Sequence, residues 1–228
     1  MTLYLYAIAA GLDRTDDLTG VGGEALARLV VEGVDVVAGE IDAAPGVNEV
    51  SLARQDQIVR QLHARATALL PMRFGAAFRS DAEMRRALSL RLPALRERLA
   101  SVKNAEQMTL RVFARAAPGA PGAPGAPGAA GAPGAGAAGA PGAGAEYLRA
   151  RAARVVPAAI VPLLEALRPL ARDTHVEAGK TPGMVATVYQ LINRRTSTSY
   201  RAAVTAAAET RPELSVRVSG PSPCYAFT

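Results

Sequence analysis

The sequence predicts an α+β fold of two small domains with mainly antiparallel sheets, and three observations predict it. A run of Pro, Gly and Ala alone, residues 116–145, separates two segments of ordinary composition. Short alternating apolar runs bounded by turn residues read as strands on both sides of that run. The later segment follows the order helix, strand, strand, helix, strand, which an antiparallel ferredoxin-like sheet accommodates. The expected division is an N-terminal α+β domain at 1–115, a flexible linker at 116–145 and a C-terminal ferredoxin-like domain at 146–228.

In the first segment, Leu3-Tyr4-Leu5-Tyr6-Ala7-Ile8 alternates as a strand, and Ala25 to Val31 and Val34 to Ile41 read as two more, joined as a hairpin at Gly33. Ser51 to Leu69 places Ile58, Val59, Leu62, Ala66 and Leu69 at helical spacing and reads as one helix. Ser80 and Glu83 form the S-x-x-E pattern of a capping box. Met84, Leu88, Leu92, Leu95 and Leu99 then make the inward stripe of a second helix, which Pro93 should kink or split. Met108 to Ala114 alternates as a closing strand.

Within the linker, glycine recurs every third residue from Gly119 to Gly134, and the register breaks at Gly136. So short a run of triplets is too little for a collagen triple helix. With no side chain larger than proline, the tract buries too little apolar surface to offset its ordering entropy. As a coil it would span on the order of 30 Å.

Beyond it, Glu146 to Leu170 has a helical pattern interrupted by Pro157, Pro162 and Pro169, which predicts two or three short helices. Asp173 to Ala178 and Met184 to Ile192 read as strands around the turn Gly179-Lys180-Thr181-Pro182-Gly183. Thr196 to Thr210 reads as a helix and Leu214 to Ser219 as the last strand.

Composition narrows the function. The formal charge is +6, and apart from Lys103 and Lys180 every basic residue is arginine. Residues 1–115 are nearly balanced, with 15 basic and 14 acidic side chains, whereas residues 146–228 carry 11 and 6. No zinc-finger, RNP-like or G-x-x-G clamp pattern accompanies this charge, so no nucleic-acid partner is expected. The single cysteine, Cys224, has no intramolecular disulfide partner, which suits a reducing cytosol. The opening residues lack a basic n-region and alternate like a strand rather than a signal peptide. No apolar stretch is long enough to predict a lipid membrane span.

Catalytic patterns are equally sparse. His63 and His175 stand alone on ordinary elements, and the pairs Asp16-Asp17 and Glu40-Asp42 flank expected turns. Cys224 has no neighbouring histidine in sequence, and no phosphate-binding or dinucleotide glycine motif occurs. No enzyme activity, metal or cofactor is therefore expected. Ferredoxin-like domains do elsewhere support catalysis and small-ligand binding, which keeps that class as an alternative.

Two segments ask for a specific explanation. Leu69-Leu70-Pro71-Met72-Arg73-Phe74-Gly75 sets an arginine in an apolar run ahead of a helix cap; Arg73 there implies either a structural ion pair or a partner contact. In the tail Ser219 to Thr228, Pro221 and Pro223 stiffen the chain, and Tyr225 and Phe227 would project to one side if it is extended. Such a tail docks on its own domain or offers an aromatic contact.

These segments in this order resemble the gas vesicle protein F and L family. The resemblance rests on the tyrosine-rich strand Leu3 to Tyr6, the motif Leu70 to Gly75, the segment Gly144-Ala145-Glu146-Tyr147-Leu148, and the closing signature Gly220, Pro221, Pro223, Tyr225 and Phe227. It covers the chain except the tract. Where the family commonly carries a Glu-Trp pair and a tail tryptophan, this sequence has Glu106-Gln107 and Ser222. The resemblance implies a cytoplasmic or vesicle-associated accessory protein that binds the hydrophobic shell protein and other accessory proteins during gas vesicle assembly, or a minor component of the vesicle wall. It also marks Arg73, Phe74, Gly75, Gly220, Pro221, Tyr225 and Phe227 as partner-binding or structural residues.

Overall fold

The computed structural model describes residues 2–115 and 156–228. The expectations for the tract, for Gly144 to Leu148 and for the start of the helical stretch at Glu146 lie outside the described residues.

The first sheet is built around β1 (Thr2–Leu12), whose residues Tyr4 to Ala9 are all buried. β2 (Leu26–Val31) and β3 (Val34–Ile41) form the expected hairpin. Its tight turn uses Glu32 and Gly33, both at positive φ (46° and 83°), as a type I′ turn requires. The strand order is β2-β3-β1-β4, where β4 is Ala66–Pro71, and the short β5 (Ala77–Phe78) pairs with the start of β1. A register shift between Leu5 and Ala7 interrupts strict alternation, so that Tyr4, Tyr6, Ala7 and Ala9 share one face while Leu5 and Ile8 take the other.

Both faces of this sheet are covered, which is why its central strand is apolar throughout. On one face α1 (Glu49–Arg65) inserts Ile58, Val59 and Leu62 among the tyrosines. On the other, Met84 and Leu88 of α2 (Asp81–Ser89) and Leu92 and Leu99 of α3 (Leu92–Ser101) pack on Leu5, Ile8 and Leu70. Ser80 caps α2 as expected, its Oγ accepting from Glu83 N at 3.2 Å, while the Glu83 carboxylate reaches one residue beyond the capping-box position and accepts from Arg79 N at 2.8 Å. Pro93 splits the helix rather than kinking it, because it sits in the first turn of α3, where its missing N–H is not needed.

One expected element differs. The helix predicted to run to Leu69 ends at Arg65, and the chain turns directly into strand β4, antiparallel to β1. Leu62, Ala66 and Leu69 keep a helical spacing, but β4 is buried on nearly all its length, and a short, two-sided strand is indistinguishable from buried helix by period.

The second sheet contains a second correction. β6 (Ala105–Ala114), expected to close the first sheet, is instead a central strand of the second, whose order is β7-β8-β6-β9. Its Met108, Leu110 and Val112 face α4 (Val161–Leu167) and α5 (Ser197–Glu209) and share a core with Leu163, Leu167, Tyr200 and Val204. Alternation shows that β6 is half-buried but cannot say against which layer. With β7 (Ala171–Ala178), β8 (Met184–Asn193) and β9 (Leu214–Ser222), the unit runs β6-α4-β7-β8-α5-β9 with every pairing antiparallel, the ferredoxin-like arrangement. Its first strand lies ahead of the Pro/Gly/Ala tract. The first sheet repeats this order, with the loop between β1 and β2 standing where the first helix would be.

The two sheets share packing. Leu191 of β8 and Cys224 of the tail belong to the same apolar cluster as α2, α3 and β1.

Candidate functional site

The motif Leu70 to Gly75 leaves the end of β4 and reverses direction to enter β5. Arg73 C=O accepts from Ala76 N at 3.1 Å, closing a turn whose third position, Gly75, has φ 84°. That is the position where a type II turn requires glycine.

A buried network fixes both ends of the turn. Tyr4 Oη donates to Gln55 Oε1 at 2.5 Å and accepts from Gly75 N at 3.0 Å, while Gln55 Nε2 donates to Met72 O at 3.1 Å. Burial pushes the Tyr4 phenol above its ordinary pKa, with the Gly75 N–H working against the shift, so the hydroxyl stays protonated. The Tyr4 ring meets Phe74 edge-on at 6.3 Å. The tyrosine-rich first strand is thus part of the site, holding Arg73 and Phe74 at the surface from beneath.

The structure corrects the ion-pair expectation for Arg73. Its side chain is exposed, and its guanidinium makes no hydrogen bond or ion pair with any described residue. The apolar run around it belongs to β4 and to the turn, and solvent, not core, lies beyond.

The tail arrives at the same place from the other sheet. Tyr225 and Phe227 do not project from an extended strand to one side; residues Tyr225–Phe227 form a 3₁₀ turn. Tyr225 Oη donates to Asp56 Oδ1 of α1 at 2.7 Å, and Ala226 N donates to Gln107 Oε1 of β6 at 2.8 Å. Phe227 packs with Met72 and Leu95 against the core between the first sheet and α3. The tail therefore bridges the two sheets rather than docking on the second alone.

Gly220 and Pro221 sit farther back, where β9 crosses β6 at a register shift. Gly220 has φ 115°, and a Cβ there would meet Gln107 O at 2.7 Å, so the close approach of the two backbones requires glycine. Arg201 donates to Gly220 O, and Arg60 Nη1 reaches Pro221 O at 3.5 Å.

Two clefts flank the Arg73–Phe74 turn. The smaller, about 240 Å³, is lined by Leu52, Gln55, Asp56, Met72, Phe74 and Tyr225, among others. The larger, about 530 Å³, runs beneath Arg73 between β4 and α3 and includes Met72, Phe74, Leu88, Leu95 and the arginines Arg91 and Arg98. Arg73, Phe74, Gly75 and Tyr225 are thus brought together, with Phe227 packed behind them, while Gly220 and Pro221 are not. Gln55 and Asp56 were missed by sequence reasoning; the only signal was a pair of polar residues on the helix preceding the motif.

Behind the site lies a polar junction between the sheets. His63 donates from Nε2 to Ala105 O at 3.1 Å; Arg194 Nη2 donates to His63 O at 2.7 Å. Burial, followed by the charge of Arg194, lowers the His63 pKa to about 4. The Glu106 carboxyl is raised by burial, and its Oε1 is buried without a hydrogen-bond partner. Burial pushes the Cys224 thiol up to about 12, which leaves it protonated and unreactive as a nucleophile. His175 is remote from these groups and stacks on Tyr189. Among the described residues no group of three or more His, Cys, Asp or Glu side chains could hold a metal ion. No described helix is long and apolar enough to cross a membrane.

The fold and the site define an α+β protein of two antiparallel sheets with a shared topology, joined through a tail that packs against a rigid turn. The family model described as gas vesicle synthesis protein GvpL/GvpF matches residues 2–228, and the chain belongs to that family. Among solved structures it is similar to the gas vesicle protein GvpF from Anabaena sp. PCC7120, at TM-score 0.73 and 16% identity, covering 99% of this chain and 95% of that one. It is likewise similar to GvpF from Microcystis aeruginosa, at TM-score 0.72 and 14% identity, covering 99% and 98%. No curated protein sequence matches the chain.

Proposed function

We propose that this chain is a cytoplasmic accessory protein of gas vesicle formation that binds the hydrophobic shell protein, and other accessory proteins, through the surface around Arg73, Phe74 and Tyr225. Its family places it in gas vesicle synthesis. The observation that carries the contact is apolar exposure beside a rigid framework: Leu52 and Tyr225 remain 44% and 40% exposed at the smaller cleft. Uncovered apolar surface of this kind suits a partner that must itself hide apolar surface before assembly. Arg73, which has no ion-pair partner among the described residues, adds a charge that can direct a client's orientation. No nucleotide or metal is needed for such a contact.

Co-expression tests the reading. The cognate shell protein should remain soluble and co-purify with the full chain, and EDTA or nucleotide depletion should leave the complex intact. If the shell protein pellets equally with and without the chain, the binding role fails and a minor wall component becomes the better account.

A further inference from the structure

The covered face of the second sheet is explained by α4 and α5, but no helix among the described residues covers its opposite face. Because Leu110, Val112, Ala186 and Val188 point into the core, alternation sends Arg111, Phe113, Tyr189 and Arg217 to the other side. At the end nearer the first sheet this face is closed, since Leu191 packs into the cluster there. The remainder carries Arg111 and Arg217, both exposed and directly opposite one another in the β6–β9 register.

Like charges directly opposite on neighbouring strands repel and weaken a sheet. In the first sheet Arg28 is instead neutralised by Asp35 at 2.8 Å. Arg111 and Arg217 have no such partner: neither guanidinium makes a hydrogen bond or ion pair with a described residue, and Arg217 rests over the Phe113 ring at 5.2 Å. The only lysine nearby, Lys180, is already held by Glu177 at 2.9 Å. Paired positions on adjacent strands lie about 5 Å apart, so one carboxylate can reach both guanidiniums.

We propose that this face, centred on Arg111 and Arg217, is a docking surface for an acidic segment of another protein. Charge complementarity identifies the class of partner. Its details favour polypeptide over nucleic acid: Arg217 lies over the Phe113 ring at 5.2 Å and takes the ring face on which a base would stack. Asp173 and Glu177, on the same face of β7, bound the basic patch on that side, so it spans only the β6–β9 pair and suits a short acidic segment rather than a long phosphate backbone. This surface is separate from the motif–tail site and does not depend on it.

The test uses the full chain, a fluorescein-labelled peptide of alternating Glu and Val, and a labelled oligo(dT) of matching charge. The native chain should bind the peptide with an affinity that falls as salt rises. In Arg111→Gln/Arg217→Gln, affinity should drop about tenfold or more, the expected loss for two charge-assisted contacts. Arg79→Gln/Arg86→Gln, which removes the same charge from exposed positions elsewhere, should bind as the native chain does. The Arg111→Gln/Arg217→Gln variant should melt no lower than native, because repulsion has been relieved. Equal peptide binding by both double variants, or none by the native chain, overturns the proposal. Tighter binding of oligo(dT), lost in Arg111→Gln/Arg217→Gln, overturns it in favour of nucleic acid.

Discussion

Tyr225 donates its hydroxyl to Asp56 at 2.7 Å, tying the tail of the second sheet to the first helix of the chain, 169 positions away. The same carboxylate also pairs with Arg60 at 2.6 Å, so it keeps a partner when Tyr225 is changed. Tyr225→Phe should therefore cost only about 0.5–1.5 kcal/mol, less than a buried bond to a charged group, because the exposed Asp56 carboxylate keeps Arg60 and water, measured by chemical denaturation. A loss well above that range would mean the tail holds more of the inter-sheet packing than this contact.

Tyr4→Phe should cost more. Removing that hydroxyl strands the buried Gln55 Oε1 and takes an acceptor from Gly75 N–H, and each unpartnered group costs about 1–3 kcal/mol. The same denaturation series ranks the two variants, and Tyr4→Phe should be the less stable.

Arg73→Met should leave stability within about 0.5 kcal/mol of native, as expected of an exposed side chain without a partner among the described residues. Capture of the shell protein should fall in the same variant. A marked drop in melting temperature with capture intact would restore the structural ion pair that the apolar context of Arg73 suggests.

Acid should weaken the fold through His63. Its folded pKa is lowered to about 4 from an ordinary value of 6.5, because burial and Arg194 disfavour the charged ring. The unfolded chain therefore binds the extra proton first, and the His63 contribution is full above pH 6.5 and declines as pH falls toward 4. His63→Gln should flatten stability across that window, read from melting temperature against pH.

Fragments test the strand assignment. A chain of residues 105–228 should melt cooperatively, because it contains every strand of the second sheet, whereas residues 146–228 lack the central strand β6 and should not. Cooperative melting of the shorter fragment would show that β6 is dispensable to that sheet.

Most local elements were legible because period and punctuation agreed. Val34–Ile41 formed as expected, Ser80 and Glu83 capped α2, and Pro93 separated α2 from α3. What failed was information that period does not carry. Ala66 and Leu69 extended a helical spacing into what is strand β4, and the alternation of β6 could not name its sheet. The site was partly legible: Gly75 and Tyr225 were singled out from sequence, but their approach depends on β6 carrying the second sheet, and the tail with it, onto α1. The role of Tyr4 was hidden because a tyrosine alternating in a strand looks the same whether its hydroxyl is idle or holds a turn.

Site-specific photo-crosslinking asks whether the shell protein binds the surface around Arg73, Phe74 and Tyr225. A photoreactive residue would be placed at position 73, at position 52 or, as a control, at the exposed Thr205 of α5, and each full-length variant co-expressed with the cognate shell protein. Strong adducts are expected from positions 73 and 52 and little from 205. Adducts equal at all three positions, or confined to 205, would contradict binding at that surface.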